Sequence, residues 1–315
     1  MNKRKLGGSG LEVYPLALGG NVFGWTADEK TSFEILDGFV AAGFSLIDTA
    51  DVYSVWAPGH TGGESEAVIG KWLKRSGRRK DVIVATKVGM EMAPDKKGLS
   101  RAHIMRSVED SLARLQTDYI DLYQSHTDDA ETPMEETAAA FATLVEQGKV
   151  RAIGASNFTA ERLSDALQLS EKEGFPAYQT LQPHYNLYER ADYETKLEPL
   201  CLEKGIGVIN YFSLASGFLT GKYRSEEDLS KSPRGRRTKQ YLNDRGFRIL
   251  AALDRVAANL ESTPARVALA WLMARSSITA PIASATNLEQ LDDLIASTRL
   301  ELDSSSIELL NAASE

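Results

Sequence analysis

One cysteine, Cys201, is present in 315 residues, so no intrachain disulfide can form. That usage suits a reducing compartment. No apolar run approaches the roughly 18 residues that a membrane-spanning helix needs, so no membrane association is expected. Net positive charge is also absent. The formal net charge is −8, and an acidic chain is a poor non-specific binder of nucleic acid. The opening "MNKRKLGGSGLEV" has basic residues but no apolar core, so no secretory signal is expected and the cytoplasm is the expected location. Low-complexity tracts and long internal repeats are missing as well.

What is present is a folding chain of ordinary balance: 43 % apolar and 25 % charged residues exclude an intrinsically disordered composition. Short runs rich in Val, Ile and Leu recur at 15–19, 44–48, 82–87, 119–126, 150–156, 180–183, 207–211 and 278–282. Several lack polar alternation, as strands buried on both faces do. Amphipathic segments lie between them. In "SRAHIMRSVEDSLARL" Ile104, Val108, Leu112 and Leu115 share a face, with Ser100 as N-cap. Thr132-Pro133-Met134-Glu135 has the form of a capping box, and Thr263-Pro264 opens a later helix the same way.

Strand onsets recur at roughly the spacing of a βαβ unit. Eight such units predict a (β/α)₈ barrel in a single domain over 1–315, with a doubly wound sheet as the alternative. The stretch around Gly7–Gly10 predicts an N-terminal hairpin across the barrel bottom. About 70 residues separate the last two strands, and 214–238 lacks periodicity. A loop of that length in a compact domain is usually a lid or binding loop.

Active sites of parallel barrels form at the C-terminal strand ends. Those ends carry Asp48, with Tyr53 five residues on, then Lys87, His126, Ser156-Asn157, Gln182 and Tyr211. A phenol titrates near pH ~10 and is a poor acid at neutrality. A lysine beside it favours the phenolate and is expected to lower its pKa, while Asp48 supplies the lysine's counter-charge. Such a group delivers a proton to an oxygen gaining negative charge, with His126 orienting it. Each residue alone has a plainer reading: Asp48 as a turn cap, Lys87 as a solvated strand end, Ser156-Asn157 as the N-cap of "FTAERLSDAL". The coincidence of four at successive strand ends favours chemistry.

"FSLIDTADVYS", "GGESEAVIGKWL", "VIVATKVG", "LYQSHTDD", "VRAIGASNFTAERL" and "INYFSLASGFLTGKY", in this order, resemble the aldo-keto reductase superfamily over nearly the whole chain. The resemblance implies a TIM barrel and NAD(P)H-dependent reduction of an aldehyde or ketone to an alcohol. It makes Tyr53 the general acid, tuned by Lys87 and Asp48, with His126 placing the carbonyl. It implies cofactor contacts at Gly20, Asn21, Asp48, Ser156, Asn157, Gln182, Tyr211, Phe212, Ser213, Leu214, Gly217, Leu219 and Lys222, the last four in a cofactor-covering loop after the seventh barrel strand. Ser284, Thr286 and Gln290 fall where such proteins hold the far end of the cofactor.

Two departures stand out. Phe212-Ser213 replace the Ser-Pro that usually follows the stacking tyrosine. Ser284, Ala285, Gln290 and Leu294 offer no cation where many NADPH-dependent relatives grip the 2′-phosphate. An arginine of "KSPRGRRTK", Arg236 in particular, is the expected replacement, against a plain reading of a solvated charged loop. NADPH is the expected cofactor, with NADH usable and no metal required. Substrate contacts are expected from Trp25, Tyr53, Trp56 and His126, the partner being a small carbonyl or alcohol. Rival readings are a non-catalytic, cofactor-binding redox sensor resembling channel β-subunits, and a Schiff-base lyase acting through Lys87.

Overall fold

The computed structural model describes residues 2–315. A hairpin comes first, β1 (Arg4–Lys5) running antiparallel to β2 (Glu12–Val13). Eight parallel strands follow: β3 (Ala17–Gly19), β4 (Leu46–Asp48), β5 (Ile83–Val88), β6 (Ile120–Ser125), β7 (Val150–Ser156), β8 (Thr180–Gln182), β9 (Gly207–Val208) and β10 (Ile282–Ala283). Strands β3 to β9 are neighbours in sequence order, and β10 pairs with β3. The ring closes on the remaining side. Thr279 N donates to Val208 O at 2.8 Å, and Ile282 N donates to Asn210 O at 3.0 Å. A closed ring in sequential order has no point where strand order reverses, which excludes the doubly wound alternative.

Helices pack outside the ring: α1 (Glu29–Ala41), α2 (Glu64–Ser76), α3 (Arg101–Leu115), α4 (Met134–Glu146), α5 (Ala160–Glu173), α6 (Glu198–Lys204), α7 (Asp244–Asn259), α8 (Pro264–Ala274), α9 (Leu288–Ser297) and α10 (Ser304–Ser314). Both α7 and α8 lie between β9 and β10, which accounts for the long interval there. The Ser100 and Thr263 side chains cap α3 and α8 as expected, accepting from His103 N and Arg266 N. Thr132 does not cap α4. Its hydroxyl donates to Asp129 Oδ2 at 2.7 Å, because a carboxylate is the stronger acceptor, and α4 starts without a side-chain cap. Thr159 caps α5, which frees Ser156 and Asn157 from that duty.

The strand expected at 278–282 is displaced. Ile278 makes only a bridge to Val208, and the ladder forms at Ile282–Ala283. Pro281 between them has no N–H and serves only as acceptor, from Ala17 N at 3.0 Å. The strand expected at 207–211 shortens to Gly207–Val208, although Ile209 N and Tyr211 N still donate to Leu181 O and Pro183 O.

Leu6, Leu11 and Val13 of the hairpin pack with Ala17, Leu46, Ala85, Leu122, Ala152, Ile209 and Ala280 inside the ring. The hairpin thereby plugs the N-terminal end, and full burial of each large apolar side chain stabilises by about 1.5–3 kcal/mol. Gly7 allows the close approach: at φ +59° a Cβ there would lie 1.9 Å from Gln179 O. With that end filled, the open end is the C-terminal one. Residues 214–238 are not a plain loop. They form short 3₁₀ turns at Ala215–Thr220, Glu226–Lys231 and Gly235–Tyr241. Turns this short present no continuous apolar stripe, hence the missing periodicity.

Candidate active site

Strands β4, β5 and β6 run in register, so their C-terminal ends arrive side by side. Lys87 is fully buried. An ammonium has three N–H donors, and Lys87 spends all three on named acceptors: Asp48 Oδ2 at 2.8 Å, Thr49 O at 2.7 Å and Tyr53 Oη at 3.2 Å. The Tyr53 oxygen therefore accepts from Lys87, and its own proton is left for another acceptor. Asp48 uses its second oxygen to accept from Gln182 Nε2 at 2.9 Å. The Tyr53 ring meets His126 edge to face, with centroids 5.9 Å apart.

Burial opposes the charge on Lys87, but Asp48 and Tyr53 outweigh it and hold the ammonium above its ordinary range. Tyr53 departs from expectation. Burial is the largest influence, and it pushes the phenol up despite the opposing Lys87 charge. The residue is thus a protonated phenol, and Lys87 is the neighbouring charge that favours its conjugate base. Burial, reinforced by Lys87, drives His126 well below the ordinary histidine range, so its ring is neutral. Its Nδ1 is buried without a protein partner among the described residues.

The loop carrying Tyr53 is tied to the barrel from beneath. Glu64 accepts from Ser54 N, Thr61 N and Gly62 N. Ser65 Oγ donates to Gly20 O at 2.7 Å and lies 2.8 Å from Thr49 Oγ1. Asp51 is buried, and both its carboxyl oxygens are unpartnered among the described residues. Burial, then the neighbouring Glu66, raises it to about 8. None of Ser65, Glu66 or Asp51 stood out in the sequence as more than part of a motif.

A second cluster lies at the ends of β7 to β9. Ser156 Oγ donates to Gln182 O at 2.9 Å, and Asn157 Nδ2 donates to His126 O at 2.8 Å. Tyr211 Oη donates to Asn157 Oδ1 at 2.7 Å, and its ring stacks on His184 with centroids 5.2 Å apart and 15° between planes. His184 was missed by sequence reading, although it stands two residues beyond Gln182 and strand alternation puts such residues on one face. Phe212 is one-third exposed and Ser213 is buried against Asn210.

Phe212, Ala215, Ser216 and Gly217 all have positive φ. The Ala215 and Gly217 N–H groups close these turns by donating to Phe212 O at 2.7 Å and Leu214 O at 2.8 Å. A Cβ on Gly217, at φ +98°, would sit 3.6 Å from Lys222 Nζ, so the glycine leaves room at that ammonium. Lys222 has no carboxylate partner among the described residues, whereas Leu214 and Leu219 are packed into the core beneath. At the far side Ser284 Oγ donates to Asn21 Oδ1 at 2.6 Å beside Gly19 and Gly20, and Gln290 Oε1 accepts from Thr286. Ala285 and Leu294 are buried and cannot reach a ligand. Amide and hydroxyl groups around a stacked tyrosine, a glycine-rich turn and an unpaired lysine fit a nicotinamide dinucleotide.

On the solvent side the Trp56 ring packs edge-on against both Tyr53 and Trp25, each at 5.7 Å. Arg236 is exposed and makes no side-chain hydrogen bond or ion pair among the described residues. Its neighbour Arg237 is exposed as well, with its guanidinium 5.9 Å from the Trp56 ring centroid. Among the described residues no group of His, Cys, Asp and Glu could hold a metal, and no helix is long and apolar enough to cross a membrane.

Residues 15–315 match the family described as the aldo/keto reductase family. Over 315 aligned residues the chain is 39 % identical to the "Uncharacterized oxidoreductase YrpG" of Bacillus subtilis, covering 97 % of this chain and 94 % of the relative. It is 33 % identical to "Protein tas" of Escherichia coli, over 96 % and 94 % of the two chains. It is 32 % identical to the "Probable voltage-gated potassium channel subunit beta" of Arabidopsis thaliana, over 93 % and 90 %.

Proposed function

The chain belongs to the aldo/keto reductase family, and on that premise we propose that it reduces an aldehyde or ketone to the alcohol, with Tyr53 as the proton donor. The observation that carries this reading is the single ammonium shared by Asp48, Thr49 and Tyr53. A bound NAD(P)H supplies the hydride. Ser156, Asn157 and Gln182 would hold its carboxamide, Tyr211 would stack on its ring, and the turn at Phe212 to Lys222 would take the phosphates. NADPH is the proposed cofactor, and NADH is usable because Ser284, Thr286 and Gln290 carry no charge with which to select a 2′-phosphate.

The chain's own groups handle the proton. As the carbonyl oxygen gains negative charge, it becomes a base far stronger than a phenolate. The Tyr53 proton, not engaged by Lys87, passes to it. Lys87 then faces a phenolate at 3.2 Å, and Asp48 keeps that lysine charged without competing for the tyrosine proton. Neutral His126 offers a ring N–H to the same oxygen and does not compete as an acid. Trp25 and Trp56 would form an apolar wall beside the reacting oxygen.

The test is oxidation of NADPH and NADH, followed by absorbance, with a panel of carbonyl substrates. Tyr53→Phe is expected to keep cofactor affinity and to lose at least about a hundredfold in turnover. Near-normal turnover in that variant would remove Tyr53 as the acid. A second reading, a cofactor-binding redox sensor serving a partner protein, draws its support from the relative named as a channel subunit. Tightly retained cofactor with negligible turnover on every carbonyl would favour it.

A further inference from the structure

Three aromatic rings meet beyond the ends of β8 and β9. His184 and Tyr211 pair across a parallel bridge, where Tyr211 N donates to Pro183 O at 3.0 Å. Their rings stack with centroids 5.2 Å apart and 15° between planes. The Phe212 ring meets both edge to face, His184 at 5.3 Å and Tyr211 at 5.1 Å. Tyr211 Oη donates to Asn157 Oδ1 at 2.7 Å. Tyr211 is thus backed by His184, flanked by Phe212 and tied through its hydroxyl, and no further aromatic ring packs on it among the described residues.

His184 acts here through the face of its ring. Its Nε2 lies 3.5 Å from Asn186 Nδ2, at the outer limit of a hydrogen bond. That amide makes a shorter bond to Phe212 O at 3.0 Å, while Asn186 Oδ1 accepts from Tyr188 N and Glu189 N. Asn186 thereby fixes the backbone at Phe212, whose φ is +52°. Burial holds His184 below the ordinary histidine value, against the opposing charge of Glu189, so the ring is neutral at pH 7. A neutral ring puts no positive charge behind Tyr211. Burial, then the nearby Tyr53, pushes the Tyr211 phenol up to about 12, so the stack borders the proposed acid and its hydroxyl keeps the proton it donates.

We propose that His184 is a positioning residue for the cofactor: by backing Tyr211 it fixes the plane on which the nicotinamide lies. This inference rests on the reductase reading of the same site and adds a residue to it. A ring backed on one face resists tilting away from a ligand stacked on the other, so the stacking surface is set before the ligand arrives. Truncation of His184 frees Tyr211 to tilt. The loss is then felt at the nicotinamide end of the dinucleotide, because Lys222 follows the 3₁₀ turn at Ala215–Thr220 and Ser284 follows β10, on other elements.

The test compares NADP+ with 2′-phospho-ADP-ribose, the same molecule without its nicotinamide, each titrated by tryptophan fluorescence. NAD+ against ADP-ribose gives the same comparison for the unphosphorylated cofactor. His184→Ala is expected to weaken the dinucleotide about three- to tenfold and to leave the truncated ligand within about twofold. His184→Phe, which restores a planar ring without a hydrogen bond, should recover most of the loss, and His184→Gln, polar but not aromatic, should behave as His184→Ala. At saturating cofactor kcat should fall in His184→Ala while the carbonyl KM holds. No loss on either ligand, equal losses on both, or a His184→Phe variant as weak as His184→Ala overturns the proposal. If the wild type binds a dinucleotide and reduces no carbonyl, the reductase reading fails, and the role of His184 stands or falls on the two affinities. If it binds neither dinucleotide, both are overturned.

Discussion

Gln182 donates to Asp48 Oδ1 at 2.9 Å, a bond that joins β8 to β4 across 134 positions of sequence. Lys87 occupies the other oxygen of the same carboxylate. Asp48 is therefore clamped on both oxygens inside the ring, and the ammonium it pairs with has one orientation available. Tyr53 is presented to a fixed N–H, although the tyrosine itself hangs from a loop. A site built this way behaves as a unit when any member is removed.

Lys87→Met should show this in stability as well as activity. Removal of the ammonium strands the buried Asp48, and breaking a buried pair from one side costs about 3–5 kcal/mol. Urea denaturation of Lys87→Met should show a loss of that size. The double variant Asp48→Asn/Lys87→Met should recover much of the stability and none of the turnover. If the single variant is as stable as wild type, Asp48 and Lys87 do not form a mutually dependent buried pair.

The pH dependence of reduction should carry no histidine step. His126 is held neutral well below its ordinary range, so it gains no proton on descent from pH 8 to about 6. Tyr53 is held above the ordinary tyrosine value, so the acid form persists through neutrality and reduction declines only above pH ~10. Alcohol oxidation needs the opposite form and should rise toward the same alkaline limb. Single-turnover rates in both directions between pH 6 and 10.5 test the signs, and an acid limb near pH 6.5 in reduction would contradict the neutral histidine.

Asp51 makes a prediction about stability alone. Its folded pKa, raised to about 8 by burial, lies above the unfolded value of ~3.9. Between those two values the folded state keeps a proton that the unfolded state releases, so stability falls as pH rises through that window, by on the order of 1 kcal/mol per pH unit. Below the unfolded value both states are protonated and the effect vanishes. Asp51→Asn should therefore raise Tm more at pH 8 than at pH 5. Equal shifts at the two pH values would place a charged Asp51 in the folded protein.

Much of the barrel was legible because both-face burial writes itself into short runs of Val, Ile and Leu. The run at 150–156 became β7 with the same bounds, and Asp48, Lys87 and His126 fell at strand ends as their runs indicated. Errors fell where a single side chain overrode the pattern. Pro281 moved the last ladder toward Ala283, and Asp129 drew Thr132 off the cap of α4. The surroundings of His184 and Arg237 were not legible. The first acquires meaning only from Tyr211 stacked against it, and the second only from a tryptophan 181 positions earlier in the chain.

The sequence by itself determined the elements and the chemical types at the strand ends, since hydrophobic period and residue identity are local properties. Tertiary structure alone decided the charge states and the reach of the lid. Whether Tyr53 is easier or harder to ionise depends on how much water the surrounding chain removes and how near Lys87 comes, and here burial wins. Which of Arg234, Arg236 and Arg237 comes to Trp56 depends on the path of 3₁₀ turns that carry no periodic signal, and it is Arg237 that arrives there. Desolvation and long-range contact are sums over the whole fold, and no local window of sequence contains them.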